Sequence, residues 1–126
     1  MIKAVDITIW GRDYVIPVEY DCYTAESVTK EQIIALNRFI SHKEWLDDSK
    51  KALEDYCQEQ VMKDDTVCQK HNVFNYVVPR LIFVKRNKKH GMIALMCDYK
   101  YDPEHGLALL FSSNGKTIIG SQDSVL

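Results

Sequence analysis

Four side chains within one eight-residue window have types that could do chemistry together: Asp98, Asp102, Glu104 and His105. Three carboxylates and an imidazole are a donor set for a divalent cation, or the acid and base of a proton-transfer pair. On that reading the chain is a metal-dependent, hydrolase-like enzyme working through Asp102, Glu104 and His105. The same residues also explain a turn. Asp102 precedes Pro103, where a carboxylate can accept from backbone amides two residues on; Pro103 fixes φ, and Gly106 permits a tight entry into the next strand. Glu104 and His105 are then exposed turn residues or ties to a neighbouring loop. Catalysis would call for a second cluster, and His42, His71 and His90 lie in separate contexts while no Ser or Cys sits in a nucleophile motif. The structural or partner-binding reading of the motif therefore takes precedence, and neither a metal nor a cofactor is expected.

The window joins two apolar runs, residues 92–97 and 107–111. Both are too short for ordinary helices and lack a polar break every 3.6 residues, so they read as strands apolar on both sides, in the middle of a sheet. Residues 98–106 are too few for a parallel crossover, so the two strands pair antiparallel. One chemical consequence follows. The pairs His90-Gly91 and His105-Gly106 each open a strand, and antiparallel neighbours start at opposite ends, so the two imidazoles cannot share a metal.

Upstream, Val5, Ile7 and Ile9 alternate with Asp6 and Thr8, and Tyr14, Ile16, Val18 and Tyr20 alternate with Val15, Pro17 and Glu19, around the turn Gly11-Arg12-Asp13. This predicts a hairpin with Pro17 at an edge or bulge. A helix is expected from Thr29, capped reciprocally by Gln32, with Ile33, Ile34, Leu36, Phe39 and Ile40 as its apolar face. Ser41 and Glu44 look like a second capping box. The helix after it carries Trp45, Leu46, Ser49, Ala52, Leu53, Tyr56, Cys57 and Val61 on one stripe. A polar connection over 64–75, an extended piece over 73–78, a strand from Leu81 to Val84, the basic turn 85–90 and a last hairpin through Asn114-Gly115 complete the order. The expected fold is a single α+β domain over 1–126. Its largely antiparallel sheet runs β-β-α-α-β-β-β-β, with both helices packed on one face. The opposite face of the central strands is also apolar, and the first hairpin, a second copy or a partner must cover it.

A chain of 126 residues can bury a core without disulfides, and its net charge of −2 argues against general binding to nucleic acid or anionic membranes. No apolar run reaches membrane-spanning length and the N-terminus lacks a signal-peptide core, so a cytoplasmic protein is expected. Cys22, Cys57, Cys68 and Cys97 include no C-x-x-C pair, which points to free, buried thiols.

Tyr101-Asp102-Pro103-Glu104-His105-Gly106-Leu107 resembles the hallmark of a family of uncharacterised small bacterial domains, an aromatic-Asp-x-Glu-His-Gly-Leu segment leading into an apolar strand. Pro79-Arg80 and Ile119-Gly120-Ser121-Gln122-Asp123 extend the similarity over residues 79 to 123, with Tyr101 where many members carry Trp. The resemblance implies a bacterial setting and a shared architecture, and small domains of this kind are similar to immunity proteins of toxin–immunity pairs. The long helix fits such a role. Between Lys43 and Asp65 there are eight acids and four bases, and Asp47, Asp48, Glu54, Asp55 and Glu59 form a face suited to a basic toxin domain. The expected partner is thus a protein, with a homodimer as the other form of association. The basic turn from Lys85, with Arg80 upstream, lacks the interleaved aromatics of a nucleic-acid platform.

Overall fold

The computed structural model describes residues 3–21, 28–60, 73–85, 93–112 and 115–122. They form β1 (Ala4–Ile9), β2 (Arg12–Tyr20), α1 (Lys30–Ser41), α2 (Glu44–Gln60), a 3-10 turn (Val73–Asn75), β3 (Val77–Val84), β4 (Ile93–Tyr99), β5 (Leu107–Phe111) and β6 (Thr117–Gly120). The six strands stand in sequence order across one sheet. The expected α+β class holds and the element order matches, and the largely antiparallel sheet includes one parallel pair. β2 and β3 run parallel, through residues 18–20 and 82–84, and every other neighbouring pair is antiparallel. The helical connection between β2 and β3 is long enough to carry the chain back to the end from which β2 started.

β2 pairs with β1 through residues 12–17 and with β3 through its last three residues, so its first part belongs to a two-stranded ribbon. Pro17 lies in an inner strand, yet one residue before the β3 ladder begins. The Val18 amide donates to the Lys3 carbonyl at 2.8 Å on the β1 side. The neighbouring Pro17 nitrogen therefore points the other way, where no ladder bond is lost.

The turn of this ribbon is Trp10-Gly11, not Gly11-Arg12-Asp13, because Ile9 pairs with Arg12. Both turn residues have positive φ, 50° and 86°, as a two-residue type I′ turn requires. A bulky residue there costs about 1–2 kcal/mol. Packing offsets it. Trp10 is buried, and its indole N–H donates to the Leu46 carbonyl at 3.1 Å and to Ser49 Oγ at 3.2 Å. Ser49, itself buried, donates to the same carbonyl at 2.6 Å. The hairpin tip is thereby stapled to α2 and adds to the helix-side core; it does not cover the opposite face.

Helix α1 starts as the sequence suggests. Gln32 N–H donates to Thr29 Oγ1 at 3.2 Å and Thr29 N–H to Gln32 Oε1 at 2.8 Å. The other end of the Gln32 amide is buried and donates to the carbonyls of Asp21 (3.1 Å) and Val84 (3.2 Å). These are the ends of the parallel pair, where the Asp21 amide also donates to Val84 at 2.9 Å. The buried face is Gln32, Ala35, Leu36 and Phe39. Ile33 and Ile34, assigned to that face from sequence, are 43% and 48% exposed, because the i, i+3, i+4, i+7 stripe set by Gln32 passes them by. The Ser41–Glu44 box does not form. Ser41 is the last residue of α1 and its hydroxyl donates back to Asn37 at 2.8 Å; the bend at His42 is too tight for a separate cap. On α2, Leu46, Ser49, Leu53 and Cys57 are buried, Trp45 and Tyr56 half-buried, and Ala52 exposed; Val61 lies outside the described residues.

The buried residues of both helices share one core with Ile82, Val84, Ile93, Leu95, Cys97, Leu107, Leu109 and Phe111. The alternate residues of the central strands form a separate cluster on the other face: Ala94, Met96 and Ala108, packed by Leu81, Phe83 and Leu110. Cys57 and Cys97 are free and buried as expected, while Cys22 and Cys68 lie outside the described residues. In the last hairpin Ser112 N–H donates to the Lys116 carbonyl and Gly115 N–H to the Ser112 carbonyl, each at 3.0 Å, and Gly115 stands at φ 83°; Asn114, expected in the turn, lies outside the described residues. A Cβ on Gly115 would land on the Trp45 indole.

Candidate functional site

β4 and β5 are antiparallel, with Cys97 opposite Leu107, and the segment between them is a tight turn held largely by Asp102. The Asp102 amide donates to Tyr99 (3.2 Å) and its carbonyl accepts from Gly106 (2.8 Å). Its carboxylate accepts from the His105 amide at 3.3 Å and stands 3.0 Å from His105 Nδ1. Both side chains are about half exposed, at 42% and 48%, so their pairing shapes the turn more than it stores energy. The Lys100 amide donates to Tyr76 at 2.8 Å, tying the turn to the start of β3.

Gly106 is required twice over. Its φ is +65°, and a Cβ there would sit 2.6 Å from Gln122 Nε2 and 3.0 Å from the Cys97 carbonyl. Gln122 occupies that space because β6 continues past Gly120 beside the turn. Its amide N–H donates to His105 at 3.1 Å, and its side-chain Nε2 donates across Gly106 to the Cys97 carbonyl at 2.9 Å. Arg80 lies at the register shift in β3 between Pro79 and Leu81, and its Nε donates to Asp98 Oδ2 at 2.6 Å. Three sequence segments far apart in the chain, Pro79-Arg80, the turn 98–106 and Gln122, are thus brought to one end of the central sheet. A model of a family described as a domain of unknown function, DUF6985, matches residues 2–126. The chain belongs to the DUF6985 family. The family match takes in the first 78 residues as well as the segment 79–123 that carries the motif resemblance. No curated protein and no solved structure matches the chain.

Within this DUF6985 domain the four residues singled out from sequence do not form one site. Asp102 and His105 meet each other. Asp98 stands apart on β4, bonded to Arg80, and the Arg80 and Asp98 side chains are 61% and 63% exposed. Glu104 is exposed and makes no hydrogen bond or ion pair with a described residue. Among the described residues no three His, Cys, Asp or Glu groups converge as cation ligands. His90 and Gly91 lie outside the described residues. Two shallow grooves flank Asp98. One, of about 400 Å³, is lined by Glu19, Arg80, Leu81, Phe83, Met96 and Gln122. The other, of similar size, is lined by Tyr76, Val78, Tyr99, Lys100 and Pro103.

The acidic residues of α2, Asp47, Asp48, Glu54, Asp55 and Glu59, are all exposed. Sequence reasoning missed Trp10, the clamp role of Gln32 and the lock formed by Gln122. Trp10-Gly11 carried a signal in its Gly; nothing local marks Gln122, whose hydrogen-bond partners His105 and Cys97 are 17 and 25 residues away. No helix among the described residues is long and apolar enough to cross a membrane.

Proposed function

We propose that the chain is a non-enzymatic protein-binding module, most concretely a bacterial, cytoplasmic immunity protein that neutralises a cognate toxin by occluding its active site. The outer face of α2 is the observation that carries this reading. None of the carboxylates of Asp47, Asp48, Glu54, Asp55 and Glu59 makes a hydrogen bond or ion pair with a described residue, although Lys50 and Lys51 lie one helical turn away. No basic residue occupies the last turn of α2, where the helix dipole disfavours negative charge. Glu59 lies in that last turn, against the dipole, and the exposed carboxylates of this face suit a basic partner, such as the nucleic-acid groove of a nuclease toxin. A metal-dependent hydrolase at Asp102, Glu104 and His105 draws less support, because Asp102 and His105 are engaged in the turn and Glu104 does not join them.

The test is capture from the native host combined with co-expression. The wild-type chain and the variants Glu104→Gln and His105→Ala should each retain one basic polypeptide and relieve its toxicity. The triple variant Glu54→Lys, Asp55→Lys, Glu59→Lys should do neither. Stoichiometric metal in the purified protein, with loss of function in Glu104→Gln alone, would overturn the reading.

A further inference from the structure

Strand β1 is an outer edge of the sheet, and no described strand pairs beyond it. The direction of its backbone groups follows from the hairpin register. Ile9 and Arg12 close the two-residue turn as a hydrogen-bonded pair, and such pairs recur at every second position, at Ile7 with Tyr14 and Val5 with Ile16. The bond from the Val18 amide to the Lys3 carbonyl continues the series. The N–H and C=O groups of Ala4, Asp6 and Thr8 therefore point away from β2. All three residues are exposed, and none of these backbone groups bonds to a described residue. Sheet edges are commonly blunted by proline, a bulge or short length, but β1 has six regularly paired residues and no proline. β6, the other edge, has four residues and lies against α2.

The side chains along β1 select what can pair with it. Asp6 and Thr8 share one face with Val15 and Asp13 across the ladder. The Thr8 hydroxyl donates to Asp13 at 2.6 Å, and Asp6 makes no ion pair with a described residue. Val5, Ile7 and Ile9 make the opposite face wholly apolar. Asp6, Ile7, Thr8 and Asp13 also line a groove of about 410 Å³ with Ile40, near the end of α1, and Lys43, in the bend after it; two acids there face one base. An extended backbone satisfies the edge, a base opposite Asp6 satisfies the charged face, and an apolar residue beside Ile7 satisfies the other. A second copy paired about Asp6 would set two carboxylates opposite each other.

We propose that the open edge of β1 binds an extended segment of a partner protein as an added antiparallel strand, its residues alternating between basic, towards Asp6 and Asp13, and apolar, towards Ile7. The proposal is independent of the toxin-binding reading, since the site lies on β1 and not on the α2 carboxylates.

The end-capped peptide Lys-Val-Lys-Val-Lys-Val, titrated into the isotope-labelled full chain and followed by NMR, tests it. Saturable shifts are expected at the amides of Ala4, Asp6 and Thr8, with slowed hydrogen exchange at the same three. Glu in place of each peptide Lys, or the Asp6→Lys variant of the chain, should weaken binding at least about tenfold. A Lys lying opposite Asp6 turns its own amide towards β1, so N-methylation of the peptide's Lys amides should abolish binding, and N-methylation of its Val amides should leave it within about twofold. Shifts confined to α2, equal binding of the Lys and Glu peptides, or indifference to which amides are methylated overturns the proposal. So do shifts at Ala4, Asp6 and Thr8 that follow protein concentration without peptide, which would assign the edge to a second copy.

Discussion

Gly106→Ala tests how the end of the central sheet is locked. An alanine at φ +65° carries the left-handed penalty of about 1–2 kcal/mol. Its Cβ also cannot coexist with Gln122, whose Nε2 and Cδ would lie 2.6 and 2.8 Å away. Gln122 must swing out and give up its bond to the Cys97 carbonyl, a further cost of about 1 kcal/mol. The stiffer unfolded chain returns roughly 0.4–1 kcal/mol. The net loss is about 2 kcal/mol, a fall of about 1 M in the urea midpoint for a domain of this size. Conformational strain and steric displacement separate in a double-mutant cycle. Gln122→Ala alone should cost about 1 kcal/mol, and Gly106→Ala made in that background should cost about 1 kcal/mol less than in the wild type, since there is no longer a side chain to displace. Equal costs for Gly106→Ala in both backgrounds, or a cost below about 0.5 kcal/mol in the wild type, would refute the lock.

Three further outcomes are expected. Trp10→Phe removes the indole donor to Leu46 and Ser49 and some buried area, and should lower stability by about 1–2 kcal/mol in the same urea titration; Trp10→Gly, freed of the φ penalty, should lose less than the 3–5 kcal/mol typical of a buried Trp truncation. Gln32→Leu keeps the volume but leaves the Asp21 and Val84 carbonyls without the side-chain donor, so a loss of about 1–3 kcal/mol is expected, with faster amide exchange at the β2–β3 pairing. Burial, with smaller contributions from Asp98 and Cys57, pushes the Cys97 thiol far above its ordinary value of 9.0. The unfolded chain therefore loses this proton first as pH rises, and stability is full below pH 9.0 and falls above it, by up to about 1.4 kcal/mol per pH unit. Replacing Cys97 with Ala should flatten that limb of the pH profile.

Local patterns made much of this fold legible. Alternation in residues 5–9 and 14–20 gave β1 and β2, the Thr29–Gln32 box gave the start of α1, and double-sided apolarity placed β4 and β5 in the middle of the sheet. The parallel β2–β3 junction was not legible, because strand direction there depends on how helices and connection return the chain, which no short spacing encodes. The first turn was misplaced by one residue since Trp is a poor candidate for positive φ; only the tertiary bonds from its indole to α2 make that conformation tolerable. Likewise Ser41 and Glu44 had the spacing of a cap, but the bend between the helices came too soon for it. In the motif, the role of Asp102 as a turn opener could be read from Asp-Pro-x-x-Gly, whereas Asp98 drawn away to Arg80 and Gln122 seated over Gly106 are contacts between distant strands.

The claim on which the functional account rests is that the motif turn holds the sheet together while the α2 carboxylates do the binding. Titration calorimetry of the captured partner against three forms of the chain tests it most directly. Affinity should be the same for the wild type and Glu104→Gln, should fall at least about tenfold for the Glu54→Lys, Asp55→Lys, Glu59→Lys variant, and should weaken with added salt for the first two. Undiminished binding by the charge-reversed helix, together with loss of binding in Glu104→Gln, would contradict it.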